Sequence, residues 1–443
     1  LCFFFVIILS ASKLGNYKLG GNEAETEFST ISWIGMLFCG GIGGGIIYWS
    51  GVEWGYYVDE PLLGIIPYSK ESYALSTAYG LFHWGISAWA LYAIPAIALS
   101  VSFYKYNLNT LRLSSSLRGL GINNVENSLI GRLVDFVFVV ATIGAAGGTI
   151  GSYIPMLSTG FSDIFNLDGN FLVDLGVLGL CVGLFGYSVY RGLTNGIKRL
   201  SDINMLLAGI FLITVLFLGP TFEIINSAFD GLVFMFTHFW EMSTLGITEQ
   251  SDFADTWTVF YWAWWISWSP FVGMFIARVS RGRTIREFLI AVLLIPTLVT
   301  VLWMSIYGGI AIDQIINGVG ALGLNGLTEV PLAMFHMLDE LPLSNILSFI
   351  AIVLVLVFFI TSADSGSLVI DSITAGGKID APVPQRIFWA TVEGAIAAAL
   401  LWIGGTQAIE ALQAGAVSTG LPFTFVLLLM CVSLLLGLRT EPR

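Results

Sequence analysis

The chain has 443 residues, 56% of them hydrophobic and only 11% charged, with a net charge of -12. A soluble chain of this length carries about 25% charged residues, so a mean hydropathy of +0.84 describes an all-α polytopic membrane protein. The acidic balance and the lack of a basic stripe exclude nucleic-acid binding. Cys2, Cys39, Cys181 and Cys431 form neither a CxxC pair nor a metal spacing, and read as small buried hydrophobes.

The amino end, "LCFFFVIILSASK", is apolar but lacks the basic start and the small-residue cleavage site of a signal peptide. Residues 1–12 are read as a partial span. A span needs roughly 20 mostly apolar residues, and ten follow: 32–58, 74–104, 131–155, 170–190, 203–228, 257–280, 287–312, 344–370, 386–405 and 420–438. Lysine and arginine test this count, since they gather in short cytoplasmic loops. With the loop after the partial span inside, every basic residue except Lys70 falls inside. The outer loops carry acids instead, including Asp163, Glu249, Asp252 and Glu329, and "GLVFMFTHFWEM" at 231–242 reads as an amphipathic helix lying along the outer interface.

Two spans carry helix breakers. In the first, "LFCGGIGGGIIYWSGVEW" (37–54) places glycines at 40, 41, 43, 44 and 45; in the sixth, "WTVFYWAWWISWSP" (257–270) ends on Ser267, Ser269 and Pro270. Breaks five spans apart imply two halves of five helices with opposite topology, because five is odd. Such paired interruptions point to a secondary-transporter site near the midplane. Bare backbone is tolerated in a membrane only where it is buried or lines a cavity.

The division expected is a partial helix and cytoplasmic loop (1–30), a first five-helix repeat (31–230), an outer interfacial helix and loop (231–256) and a second repeat (257–443). His83, His238 and His336 are scattered and belong to no HExxH or GxSxG pattern, so no catalytic residues are assigned and the chain is read as no enzyme. His83 is expected to pack in the core beside Trp84. A channel or membrane sensor is the competing class; it would show a continuous polar pore, whereas the polar residues here converge on two breaks.

Trp257, Trp262, Trp264, Trp265 and Trp268 cannot share one helix face at 100° per residue, and a second cluster, "FHWGISAWALY", places Trp84, Trp89 and Tyr92 on the second span. Ring faces attract a cation that cannot be hydrogen-bonded by roughly 0.5 to 2 kcal/mol each, which points to a quaternary ammonium. Few acids lie within spans, Glu53 and Asp364 being the main ones.

"GGIGGGIIYWSGVE", "HWGISAWALYA", "WTVFYWAWWISWSPFVGMFIARVSRGRTIREF" and "FFITSADSGS" resemble, in order and over nearly the whole chain, the betaine/choline/carnitine transporter family. The resemblance implies a five-plus-five inverted-repeat, leucine-transporter-like core with two broken helices. It further implies a homotrimer in the plasma (inner) membrane that imports trimethylammonium solutes by sodium symport for osmoprotection. By motif position Trp84, Trp89, Tyr92 and Trp265 would form the central cage, with Trp268 on the outer approach, Trp264 on the inner exit, and Gly41, Gly43 and Gly45 as bare backbone beside it.

A first sodium site would use Cys39, Ile42, Phe358, Thr361 and Ser362. A second would use Thr142 and Phe271, but Ala146 stands where the pattern has a threonine. Choline-selective relatives tend to carry an aspartate at the position of Gly45, so a zwitterion, glycine betaine above all, is the implied substrate. A choline importer and a sodium-independent carnitine/betaine exchanger are the alternatives within transport.

Overall fold

The computed structural model describes residues 1–122, 124–165, 167–247, 251–322, 330–378, 382–404, 414–415 and 417–439; Glu249, Glu329 and Arg443, used above, lie outside these. Helices α1 (Cys2–Ala11), α2 (Thr30–Gly41), α3 (Gly45–Ser50), α4 (Glu53–Asp59), α5 (Lys70–Trp84), α6 (Ile86–Lys105), α7 (Leu129–Phe165), α8 (Phe171–Asn195) and α9 (Ile197–Leu218) build the first half. Helices α10 (Thr221–Thr237) and α11 (Phe239–Thr244) connect it to α12 (Phe260–Val279), α13 (Ile285–Asn317), α14 (Ala333–Asp339), α15 (Ser344–Thr374), α16 (Val383–Gly404) and α17 (Gly420–Arg439). Among the described residues the sole β feature is an isolated bridge between Lys18 and Thr284.

Among the described residues six helical stretches are long and apolar enough to cross a membrane, and α2 with α3–α4 makes a seventh, bent by 65°. Helices α7, α12 and α16, of 37, 20 and 22 residues, occupy the places of the remaining expected spans. The chain is thus an integral membrane protein.

Local chemistry sets the helix starts, where the first amide groups lack intrahelical partners. Ser29, Ser69 and Asn170 accept from the amides of Ser32, Ser72 and Leu172 at the heads of α2, α5 and α8. Thr284 does the same for Glu287 N at α13, at 3.1 Å.

The fifth span ends earlier than the hydropathy implied, at Leu218 rather than 228. Gly219 leaves the helix with extended backbone and Pro220 forbids its continuation. The amphipathic helix expected at 231–242 therefore starts at Thr221 and ends at Thr237, and it packs against α5 and α13. The expected boundary at 230/231 falls inside this helix.

The first expected break is present. Gly43 adopts φ +53, the left-handed region that favours glycine, and Ile42 N and Gly43 N both turn back to the carbonyl of Phe38. The second is absent. Helix α12 runs unbroken through Pro270, whose missing N–H would otherwise orphan the Ile266 carbonyl; Ser269 Oγ donates to that oxygen at 2.8 Å and replaces the lost bond. The interruption near α12 is instead a turn of wide π-helix at Ala254–Val259, just before it.

A further interruption, not legible in the hydropathy, lies at Gly85 between α5 and α6 (φ -93, ψ -138). A Cβ there would fall 2.3 Å from the Leu81 carbonyl oxygen, so only glycine lets the chain fold back so tightly. The Trp84 carbonyl, released from the helix, accepts from Thr300 Oγ1 of α13 at 3.2 Å. Trp84 is thereby pinned at a helix end beside the break in the first span.

Candidate substrate cavity

Where α2–α3, α5, α7, α12 and α15 meet, the structure forms a partly open cavity. One wall is backbone: Gly40, Gly41, Ile42 and Gly45. The other is aromatic: Trp84 from α5 and Phe260, Tyr261, Trp264, Trp265 and Trp268 from α12, with Tyr48, Trp49 and Tyr153 completing it. Close approach explains the glycine at 41, because a Cβ there would lie 2.5 Å from the ring of Trp89.

The rings are held rather than merely packed. Trp84 and Trp265 meet edge to face at 5.1 Å, and Tyr261 stacks on Trp265 at 5.9 Å. Trp265 Nε1 donates to the His83 carbonyl at 2.8 Å, and Trp84 Nε1 donates to Glu53 at 2.7 Å. With their N–H groups tied to the protein, both indoles meet a guest through ring surface, whose faces carry the negative end of the quadrupole. The lining holds no Lys, Arg, Asp or Glu, so the cavity suits a cation too weakly hydrated to require a counter-charge.

Two of the four residues expected in the cage, Trp84 and Trp265, line this cavity, as do Trp264 and Trp268, expected on its exit and approach. Trp89 and Tyr92 are fully buried and stand behind the lining. Tyr92 meets Trp265 edge-on at 5.9 Å, and Trp89 meets Tyr92 at 5.6 Å, so they buttress the cage. Among the described residues Trp89 Nε1 and Tyr92 OH have no hydrogen-bond partner.

The assignment of Trp268 to the outer approach and Trp264 to the inner exit is reversed. Helix α12 ends at Arg278 on its basic, inward end, so Trp268 lies one turn nearer the inside than Trp264, against which it packs at 6.0 Å. Of the expected glycines, Gly41 and Gly45 line the cavity, while Gly43 forms the turn behind it.

Oxygen atoms gather at that turn. Ser362 Oγ of α15 donates across to the Cys39 carbonyl at 3.1 Å, while Thr361 Oγ1 donates within its own helix, to the Phe358 carbonyl at 3.0 Å. A Cβ on Gly43 would fall 2.5 Å from Ser362 Oγ, so the glycine admits this hydroxyl. Carbonyls and hydroxyls are hard ligands, and Ile42 follows at the same turn; the donor set fits an alkali cation. Ser362 also lines the cavity, so one side chain joins the two places.

The other expected ion position is not assembled in this way. Thr142 Oγ1 donates to its own helix at Phe138 O, 2.9 Å away, and among the described residues it bonds to no other helix. Phe271 packs on Trp268 at 5.3 Å. The side chain of Ala146 lies outside the described residues.

The two main acids expected within spans hold neighbouring side chains around the site. Glu53 is buried and hydrogen-bonded to Tyr57, Trp84 and Tyr261, and Asp364 accepts from Ser188 of α8. His83 is a buried core residue, as expected, stacked on Tyr261 at 4.7 Å.

The residues that sequence reasoning missed are Tyr48, Trp49, Tyr153, Phe260 and Tyr261. Tyr48 and Trp49 stood inside the quoted glycine stretch and Phe260 and Tyr261 inside the tryptophan stretch, so their neighbours were the available signal. Tyr153, on α7, is brought in only by folding: a Cβ on Gly44 would lie 2.2 Å from its ring.

Comparison with known proteins matches residues 1–443 to the model described as the betaine/carnitine/choline family transporter. "Glycine betaine transporter 1" of Vibrio parahaemolyticus is 49% identical over 445 residues, covering 99% of this chain and 84% of the relative. A "glycine betaine/proline/choline/ectoine transporter" of the same organism is 48% identical, covering 99% and 78%. Among solved structures, an outward-open, substrate-bound Na+-coupled sialic acid symporter superposes with a TM-score of 0.53 at 13% identity, covering 99% of this chain and 86% of that one. That likeness concerns the fold: a leucine-transporter-like helical core.

Proposed function

The chain belongs to the betaine/carnitine/choline transporter family, and from that premise we propose that it imports a quaternary-ammonium zwitterion, glycine betaine first, by sodium symport. The observation that carries the reading is the cavity itself: two indoles with tied N–H groups and two more beside them, facing bare glycine backbone with no charged side chain between.

A trimethylammonium group has no N–H to donate, so ring faces are its natural partners, each contributing roughly 0.5 to 2 kcal/mol. The glycine wall leaves room beside the rings for a small carboxylate. The family and the two relatives' names support the substrate class, and the second name keeps choline open as an alternative.

Sodium is the proposed coupling ion. Cys39, Ile42, Phe358, Thr361 and Ser362 would hold it, and Ser362, shared with the cavity lining, would let each ligand favour the other; such coupling is reciprocal. Thr142 and Phe271 are retained only as a second, weaker position. Because glycine betaine is neutral overall, each sodium carries one charge inward, contributing about 2.3 kcal/mol per 100 mV. The same proposal places the chain in the cell membrane, where a sodium gradient exists to drive it, and includes the homotrimer implied by resemblance.

Purified protein in proteoliposomes tests this. Labelled glycine betaine should accumulate under an inward sodium gradient, faster with a negative interior, and unlabelled choline and carnitine should compete more weakly than betaine. Equal uptake in sodium and potassium would favour exchange instead, and no uptake in either would remove the substrate assignment.

A further inference from the structure

Glu53 opens α4 and is 1% exposed. It does not line the cavity, yet three side chains converge on its two oxygens. Trp84 Nε1 and the Tyr261 hydroxyl donate to Oε2 at 2.7 and 2.6 Å, and the Tyr57 hydroxyl donates to Oε1 at 2.5 Å. His83 Nδ1 lies 3.8 Å from Oε1 and 2.9 Å from the Tyr57 hydroxyl, while its Nε2 meets Thr258 Oγ1 at 3.0 Å. Among the described residues no Lys or Arg pairs with Glu53.

Two of those donors, Trp84 and Tyr261, are also cavity walls. The acid therefore stands one ring behind the lining, bonded to the N–H and O–H groups of two rings that line it. A hydrogen bond from N–H or O–H to a carboxylate is charge-assisted and polarises the donor ring. Electron density moves toward the ring face, and the negative charge is felt across a low-dielectric gap rather than through water.

Resting on the reading of the cavity as a trimethylammonium site, we propose that Glu53 determines head-group specificity. It is a positioning residue that fixes Trp84 and Tyr261 and lends the cavity a negative potential favouring net cations over neutral zwitterions. The choline-to-betaine affinity ratio is then set partly by Glu53, although the acid touches neither ligand.

The test is equilibrium binding of glycine betaine and of choline to the full chain in detergent, followed by intrinsic tryptophan fluorescence. Glu53→Gln keeps shape and removes charge. It should raise the Kd of choline about 30-fold and that of betaine about threefold, a shift of about tenfold in their ratio. Glu53→Asp should restore the ratio to within about threefold of wild type.

Tyr57→Phe and Tyr261→Phe remove donors and leave the charge; they should weaken both ligands while holding the ratio within about twofold, and they stand as the test if the glutamine variant does not fold. Equal weakening of both ligands by Glu53→Gln, or a ratio changed by either phenylalanine variant, overturns the inference. Wild-type protein that binds neither compound overturns the cavity reading and this inference together. Wild type that binds both, with an unchanged ratio in Glu53→Gln, overturns this inference alone.

Discussion

The first span and α12 face each other across one cavity and solve the same problem in opposite ways. The first span loses its helix: after Gly41 the chain turns through Gly43 and resumes at an angle of 65°. Helix α12 keeps its helix through Ser267, Ser269 and Pro270, because a serine hydroxyl takes over the bond that proline cannot make. One wall offers the bare backbone of Gly40, Gly41 and Gly45; the other offers large rings at fixed spacing. A polar, flexible binding wall needs removed side chains, and a cation-attracting wall needs rigid ones. Sequence breakers of different chemistry thus carry different meanings, although both look like interruptions in a hydropathy profile.

The largest expected effect comes from putting a side chain back on the bare wall. Gly41→Val drives a branched group into the Trp89 ring, a core overpacking that costs about 1 to 3 kcal/mol or more, and also narrows the cavity. Betaine uptake in proteoliposomes should fall to background while the protein still reaches the membrane. Near-normal uptake would mean that the glycine wall is not part of the site.

Trp265→Leu removes a ring from the opposite wall and leaves the glycines alone. Betaine Kd should rise about 10- to 30-fold, in line with losing one cation–π partner of roughly 2 kcal/mol, with sodium dependence retained. Ser362→Ala deletes a hydroxyl at the turn, where a bond to a charged group is worth about 1.5 to 3 kcal/mol. The sodium concentration for half-maximal uptake should rise about tenfold, and an unmoved sodium response would place the ion elsewhere.

The smallest effect isolates the proline. Ser269→Ala leaves the Ile266 carbonyl without its substitute donor and should cost about 1 to 2 kcal/mol, visible as a fall of a few degrees in Tm of the purified protein. Adding Pro270→Ala restores a backbone N–H, so the double variant should recover most of the loss. No recovery would show that Ser269 matters for another reason.

Much of the fold was legible because its signals are local. Spans follow from runs of apolar residues, the glycine break from five glycines within six positions, and the inside loops from lysine and arginine. The aromatic stretch of α12 pointed to the correct wall. Other features depended on contacts that spacing does not reveal.

Trp89 and Tyr92 share a face with one another, but Tyr92 meets the Trp265 ring and Trp89 meets Gly41, each behind a residue that lines the cavity. Ser269 reads as part of a break until its hydroxyl is seen on the Ile266 carbonyl. Glu53 reads as a stray acid until Trp84 and Tyr261, from two other helices, are seen to meet on it. Tyr153 carried no local signal, since its place in the wall comes from the approach of α7 to Gly44.

The account depends most on the two walls closing around one methylated nitrogen. A cryo-EM map of the protein with saturating glycine betaine and sodium tests this directly. The account predicts density for the trimethylammonium group within about 6 Å of the Trp84 and Trp265 ring centroids, with the carboxylate turned toward the Gly41–Gly45 backbone. Density lodged away from these rings, or a cavity filled only by repacked indoles, would contradict it.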